Sequence, residues 1–363
     1  MLIALVVVCI FGKFPATAQY SSDVLSTKRG LITLNGRQFI PYGLDIYGLM
    51  SPPSVRGKQA QERYQYFMQP GQPELSMAAS WKANMIRFQL SQAGLDPKSK
   101  YWSQEYLQEI QSAVTQARQA GFVVNVNVDD QDTESGKHRM PTEATLRACL
   151  QLTRLFSNDL GVMYELYNEP ALSPNPHNWQ LWLHGGQNPN GGDRLVGMQT
   201  LVNAVRKVGA RNLIIVDGLD WARRFEGMPH IDDPGHNMVF GVHPYYASHY
   251  CKPSDWQKSF GFLIEDGFPV LASEWNATTG PKGAVIRCFK GASGDKIKQE
   301  VWKFLGYLQR RKIGLCVWAF DYPGWVLKKI GGEPTTFDGF TAETPGGGPG
   351  VIVRNYFRTQ NGK

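Results

Sequence analysis

Short runs of Val, Ile, Leu and Phe recur along the chain, each bounded by polar residues or glycine and most followed by apolar positions at helical spacing. The runs are Phe39–Ile46, Met85–Gln89, Val123–Val128, Val162–Asn168, Leu213–Asp217, Met238–Val242, Val270–Ser273 and Gly314–Ala319. Their brevity and near-continuous apolarity predict strands buried on both faces, as in a parallel sheet covered by helices. The clearest intervening helix is Gln104–Ala120, where Tyr106, Ile110, Ala113, Val114 and Ala117 repeat at helical spacing and Gly121 supplies a stop. Thr142–Phe156, Leu195–Val208 and Lys296–Lys312 carry the same periodicity, whereas the stretch after the fifth run has little helical signal. Eight strands alternating with helices predict a (β/α)8 TIM barrel, a single domain over residues 19–363. Upstream, "RGLITLNGRQFI" reads as a hairpin turning at Asn35-Gly36, placed to close the bottom of the barrel.

Residues 1–18 break this pattern. "MLIALVVVCIF" is an unbroken apolar run, too short for a bilayer-spanning helix of about 20 residues, and Ala16-Thr17-Ala18 offers the small residues of a cleavage site. No Lys or Arg precedes the run, so only the amino terminus supplies positive charge. A signal peptide over 1–18 is expected, giving a secreted mature chain with no stable membrane association. Cys9 would leave with it. Among the remaining cysteines, Cys251 and Cys288 fall in predicted loops and could pair after export. Cys149 lies in a helical pattern and Cys316 in an apolar strand, as expected of buried thiols.

Composition narrows the function classes. Apolar residues make up 42% of the 363 and charged ones 19%, enough for a large core. The net charge of +7 comes from scattered Lys and Arg, not a clustered stripe, which argues against a nucleic-acid partner. No Cys/His spacing suits zinc and the histidines show no HxH or HExxH pattern, so neither a metal nor a cofactor is expected. A monomer is expected.

In a barrel of this kind chemistry gathers at the C-terminal ends of the strands. The second predicted strand ends "NMIRFQL", with Arg87; the third "VNVNVDDQD", with Asp129 and Asp130; the fourth "YELYNEP", with Asn168 and Glu169. The sixth ends "GVHPYY", with His243, Tyr245 and Tyr246; the seventh "LASEWN", with Glu274; and the eighth carries "VWAFDYPGW", with Trp318 and Asp321. Glu169 and Glu274 would come from nearly opposite strands. Paired carboxylates across a cleft are the equipment for breaking a glycosidic bond, one protonating the leaving oxygen while the other attacks the sugar or activates water.

Through "IRF", "YELYNEP", "DGLDWA", "GVHPYY" and "LASEWNATTG", the chain resembles glycoside hydrolase family 5, the cellulase-like barrel glycosidases. The resemblance runs from "PYGLDIYG" to "VWAFDYPG". It implies Glu169 as acid/base and Glu274 as nucleophile of a retaining double displacement. It also implies Asn168 on the sugar's 2-hydroxyl, Arg87 supporting the nucleophile, and His243 and Tyr245 bonding around the two glutamates. Trp318 matches an aromatic floor for the sugar, with Trp325 as its rival. Family members commonly carry a histidine at the end of the third strand; here "VDDQD" stands instead, so Asp129 or Asp130 would take over that sugar contact.

Other residues invite plainer readings. Glu165 alternates onto the face of Tyr167 and Glu169 and is expected inside the barrel, paired with Arg87. Trp179 and Trp182 either stack on sugar rings or anchor the loop that carries them. Asn276, in "NAT", is formally a glycan acceptor but lies so near Glu274 that it is expected unmodified. The function expected is an endo-acting β-1,4-glucan hydrolase with a polysaccharide or oligosaccharide as its partner. A β-mannanase is the rival within the class, and a catalytically silent sugar-binding barrel the rival outside it.

Overall fold

The computed structural model describes residues 22–130, 139–246, 250–278, 288, 292–340 and 347–361. Eight parallel strands close into a barrel: β1 (Tyr42–Ile46), β2 (Met85–Ser91), β3 (Val123–Asp129), β4 (Val162–Glu165), β5 (Ile214–Asp217), β6 (Met238–Gly241), β7 (Val270–Trp275) and β8 (Gly314–Val317). Each pairs with its sequence neighbours, and β8 returns to β1. Every predicted strand is present; β2, β3 and β7 run past their predicted ends to Ser91, Asp129 and Trp275, and the other five are trimmed. β1 begins after Pro41, which has no amide hydrogen to give the ladder. β4 ends at Glu165, so the alternation expected to run on to Glu169 stops short.

The helices follow their sequence signals. Ser103 caps Gln104–Gln119 by accepting from the Tyr106 amide at 3.1 Å, and the chain leaves that helix through Gly121 at φ +89°. The Leu195–Val208 pattern splits: Leu195–Val196 pairs antiparallel with Gly185–Gly186, and the helix spans only Met198–Lys207. Gly197 makes the break, passing so close to Leu183 that a Cβ would meet its carbonyl oxygen at 2.2 Å. After β5 there is only the single turn Leu219–Ala222, with Asp220, Trp221 and Ala222 at φ 56°, 63° and 56°.

The upstream segment forms three short antiparallel strands, Leu25–Lys28, Leu31–Leu34 and Arg37–Gln38, turning at Asn35 and Gly36 with positive φ. Leu25 and Ile32 plug the bottom of the barrel, in one cluster with Met85, Val123, Met163, Ile215, Val239, Leu271 and Cys316. Cys251 and Cys288 are joined in a disulfide, while Cys149 and Cys316 are buried thiols. The expected signal peptide and Cys9 lie outside the described residues. Among those described, no helix is long and apolar enough to cross a membrane.

Candidate active site

The site grows from one arginine. Strand register sets Asp45, Arg87 and Asn125 side by side on β1, β2 and β3. Arg87 is fully buried and makes five hydrogen bonds. Its Nε and Nη2 grip Glu165 at 2.7 and 3.2 Å, the pairing expected from the sequence. Nη2 also donates to Asn168 Oδ1 at 2.8 Å, and Nη1 to Glu274 Oε2 at 2.9 Å and to Asp45. A planar guanidinium suits this task because its donors diverge in fixed directions. It ties β1, β2, β4 and β7 together under the rim.

Glu274, on β7, accepts in addition from Gln89 Nε2 at 3.0 Å and from the Tyr245 hydroxyl at 2.7 Å. Glu169 lies just past the end of β4 with φ +58°, and its Oε1 is 3.0 Å from His243 Nδ1. His243 Nε2 faces Glu165 Oε1 at 3.4 Å and Asp217 Oδ2 at 3.6 Å. One carboxylate oxygen from each of Glu169 and Glu274, together with a ring nitrogen of His243, lie within 4.8 Å of one another. Both acids therefore turn toward a single point above the barrel.

Trp318 is half-buried beside them, its indole Nε1 donating to Gln89 Oε1 at 2.8 Å. It stacks on Tyr322 and meets Trp325 edge-on with ring centres 4.5 Å apart, so the two rival tryptophans belong to one aromatic patch. Asp129 is buried at the end of β3, its Oδ2 3.4 Å from Gln89 Nε2, and Asp130 accepts from the Tyr167 hydroxyl at 2.7 Å. Trp179 and Trp182 are buried anchors, not sugar platforms: their indoles donate to the backbone oxygens of Glu226 and Asp217. Asn276 is buried as well, its amide nitrogen donating to the Trp318 carbonyl.

Burial works against every charge here, and the neighbours decide which survive. Burial opposes ionisation of Glu165, yet the charge of Arg87 and bonds from His243 and Arg87 hold it well below the usual carboxylate range. Desolvation would likewise neutralise His243, but Glu274, Asp217, Glu165 and Glu169 carry it well above the ordinary imidazole value. Asp45 and Asp217 are pushed well up by burial, and by Glu274 and Glu165 respectively, with Arg87 opposing in both cases. Burial raises Glu274 too; His243 and Arg87 pull it down, and Glu169 pushes it up. Two groupings, Glu165–Asp217–His243 and Glu169–His243–Glu274, have ligand atoms close enough for a metal ion. The same atoms are already bonded among themselves or to Arg87, whose positive charge opposes a cation.

The sequence singled out Arg87, Asn168, Glu169, His243, Tyr245, Glu274 and Trp318, and the fold brings all seven together. Gln89, Asp45 and Asp217 were not singled out. Gln89 carries a readable signal, lying two residues after Arg87 on the same strand face.

Two carboxylates converging on one point can work on a single acetal carbon, and the chemistry open to them is hydrolysis of an O-glycosyl bond: by fold and site this is a barrel glycoside hydrolase. The family model "Cellulase (glycosyl hydrolase family 5)" matches residues 55–324, most of the chain, and the protein belongs to that family. Among solved structures, a β-glucanase from Saccharophagus degradans is 17% identical, with a TM-score of 0.66 over 96% of this chain and 98% of that one. An endocellulase from Pyrococcus horikoshii, in a complex with cellotetraose, is 15% identical, with a TM-score of 0.63 over 94% and 99% of the two chains. At these identities the likeness is one of fold. Comparison with curated proteins gives no match.

Proposed function

We propose that the protein is a secreted endo-acting hydrolase of β-1,4-glucan that works with retention of configuration, Glu274 as nucleophile and Glu169 as acid/base. The observation that carries this reading is the approach of the two carboxylates, with oxygens inside 4.8 Å. Retaining enzymes hold the carboxyl groups about 5–5.5 Å apart, whereas inverting ones leave ~6.5–9.5 Å for a water. Burial raises the Glu274 carboxyl, and the charges of His243 and Arg87 with the hydrogen bond from Tyr245 oppose it, which favours the ionised form a nucleophile needs.

In the first step a Glu274 oxygen bonds to the anomeric carbon while the glycosidic C–O bond breaks. The departing oxygen keeps the electron pair and takes the Glu169 proton. In the second, Glu169 removes a proton from water, the water oxygen bonds to the anomeric carbon, and the Glu274 ester bond breaks. Arg87 fixes the Asn168 carbonyl oxygen, which turns the amide's NH2 away from the guanidinium and toward a sugar hydroxyl. Trp318 offers an aromatic face for a sugar ring. Support for glucan comes from the relatives, a β-glucanase crystallised with cellotetraose and an endocellulase. Support for export comes from the apolar run before Ala16-Thr17-Ala18 and from the Cys251–Cys288 disulfide, a bond of oxidising compartments.

The test is reducing-end release from carboxymethyl-cellulose, mixed-linkage glucan, galactomannan and xylan, with proton NMR of the first anomer formed. Release from the two glucans with the β-anomer first is expected. Galactomannan as the preferred substrate moves the specificity to mannan, and an α-anomer first overturns the retaining assignment. Glu274→Gln should lower kcat by at least about 10⁴-fold, as loss of a covalent nucleophile does, and leave oligosaccharide binding intact. A wild-type protein that binds but never cleaves would instead be a silent sugar-binding barrel.

A further inference from the structure

Resting on the reading of Glu169 as proton donor, we infer that Asp217, at the end of β5, is the positioning residue that holds Glu169 in its working conformation. Glu169 has φ +58°, a left-handed backbone that a residue with a long side chain rarely adopts. Something must hold it there. Its amide donates to Asp217 Oδ2 at 3.2 Å. On either side, the Asn168 amide is tied to Val128 at 2.8 Å and the Pro170 carbonyl to the Trp221 amide at 3.0 Å, so the kink is bridged from β3 to the turn after β5. Asp217 also reaches the carboxyl end of Glu169 through the imidazole, its Oδ2 lying 3.6 Å from the His243 Nε2 whose ring partner Nδ1 meets Glu169 Oε1.

The fold makes room for this acid at some cost. Asp217 is fully buried and its Oδ1 has no hydrogen-bond partner. Register sets it opposite Gly241, where a Cβ would fall 2.2 Å from that Oδ1. A strand residue without a side chain, beside a half-satisfied buried carboxyl, is hard to explain by packing alone. It is explained if the carboxyl aims a neighbour's proton, since acid catalysis depends first on hydrogen-bond reach to the departing oxygen.

The experiment compares kcat/KM for two aryl β-cellotriosides: a phenyl one, whose leaving group needs a proton, and a 2,4-dinitrophenyl one, whose leaving group does not. Asp217→Ala should lose on the order of 10²-fold on the phenyl substrate and far less on the dinitrophenyl one, the dependence a misplaced acid produces. Asp217→Asn keeps an acceptor oxygen for the Glu169 amide and should recover most of the loss. Gly241→Ala crowds the carboxyl from the other side and should show the same dependence in milder form, which covers the case of an Asp217→Ala chain that fails to fold. Equal losses on both substrates in these variants would make Asp217 a fold-supporting residue only and overturn the proposal. Glu169→Ala keeps the two readings apart: without leaving-group dependence there, Glu169 is not the proton donor and the functional assignment itself falls.

Discussion

On β2, Met85 joins the apolar plug at the bottom of the barrel, and two residues further along the same strand face Arg87 binds three carboxylates. Five other strands step from the plug to a more polar position: Val123 to Asn125, Met163 to Glu165, Ile215 to Asp217, Leu271 to Ser273, Cys316 to Trp318. One period of the pleat separates an oil-like layer from an ionic one. The lower layer is held by burial, which is non-directional and satisfied by any side chains of about the right volume. The upper layer is held by directional hydrogen bonds and ion pairs converging on Arg87, because an unpaired buried charge is costly. Stability should therefore be robust to shape-conserving changes below and brittle above, while activity should depend on the upper layer alone.

Arg87→Met is the sharpest way to break that contrast. It removes one cation from among Glu165, Asp45 and Glu274 and leaves buried acids without their partner, which costs about 3–5 kcal/mol. Urea denaturation should show that loss, and kcat should fall with it because Glu274 and Asn168 lose a shared anchor. A variant with unchanged stability would mean that the upper layer is not held by this ion network. The matching change below, Ile215→Ala, should cost about 2–5 kcal/mol through the cavity it leaves, with kcat and KM per folded molecule unchanged at 25 °C. Lost activity in a folded Ile215→Ala protein would show that the two layers are coupled, against the picture drawn here.

The same contrast explains what could be read from the sequence. The strands were legible because burial on both faces writes an apolar run, as in "VVNVNV" and "NLIIV". Glu169, Glu274, Arg87, His243, Tyr245 and Trp318 were legible because their types are unusual at the ends of such runs. Asp217 and Asp45 were not, since a strand-ending aspartate looks alike whether it faces solvent or a buried arginine. Their roles depend on cross-strand register, Asp45 beside Arg87 and Asp217 beside Gly241, which no local pattern encodes. The left-handed turn at Glu169 was hidden for the same reason: its support comes from Asp217, 48 residues away along the chain. The apolar spacing of Leu195–Val196 fits a helix; the partner that makes it a strand, Gly185–Gly186, is a through-space fact.

The smallest effect tests the ionic layer by proton, without removing a contact. Asp321 is fully buried after β8, and its two oxygens accept from the Tyr47 and Gly48 amides at 2.9 and 2.7 Å. Burial pushes its carboxyl up to about 6, against the pull of those amides and of Arg63. A carboxyl raised in this way keeps its proton in the folded chain where the unfolded chain has already released it. The native state then binds more protons between the ordinary value of 3.8 and about 6, so stability falls as pH rises through that window and levels off above it. The full swing for one group is at most about 3 kcal/mol, at ~1.4 kcal/mol per pH unit. The stability difference between wild type and Asp321→Asn, measured by urea denaturation from pH 4 to 7, should shrink by that order across the window. The difference between wild type and Ile215→Ala should stay flat across this window, because that change removes no titrating group. A flat Asp321 difference would mean that the carboxyl is ionised throughout, and that the amides of Tyr47 and Gly48 outweigh burial in setting its charge.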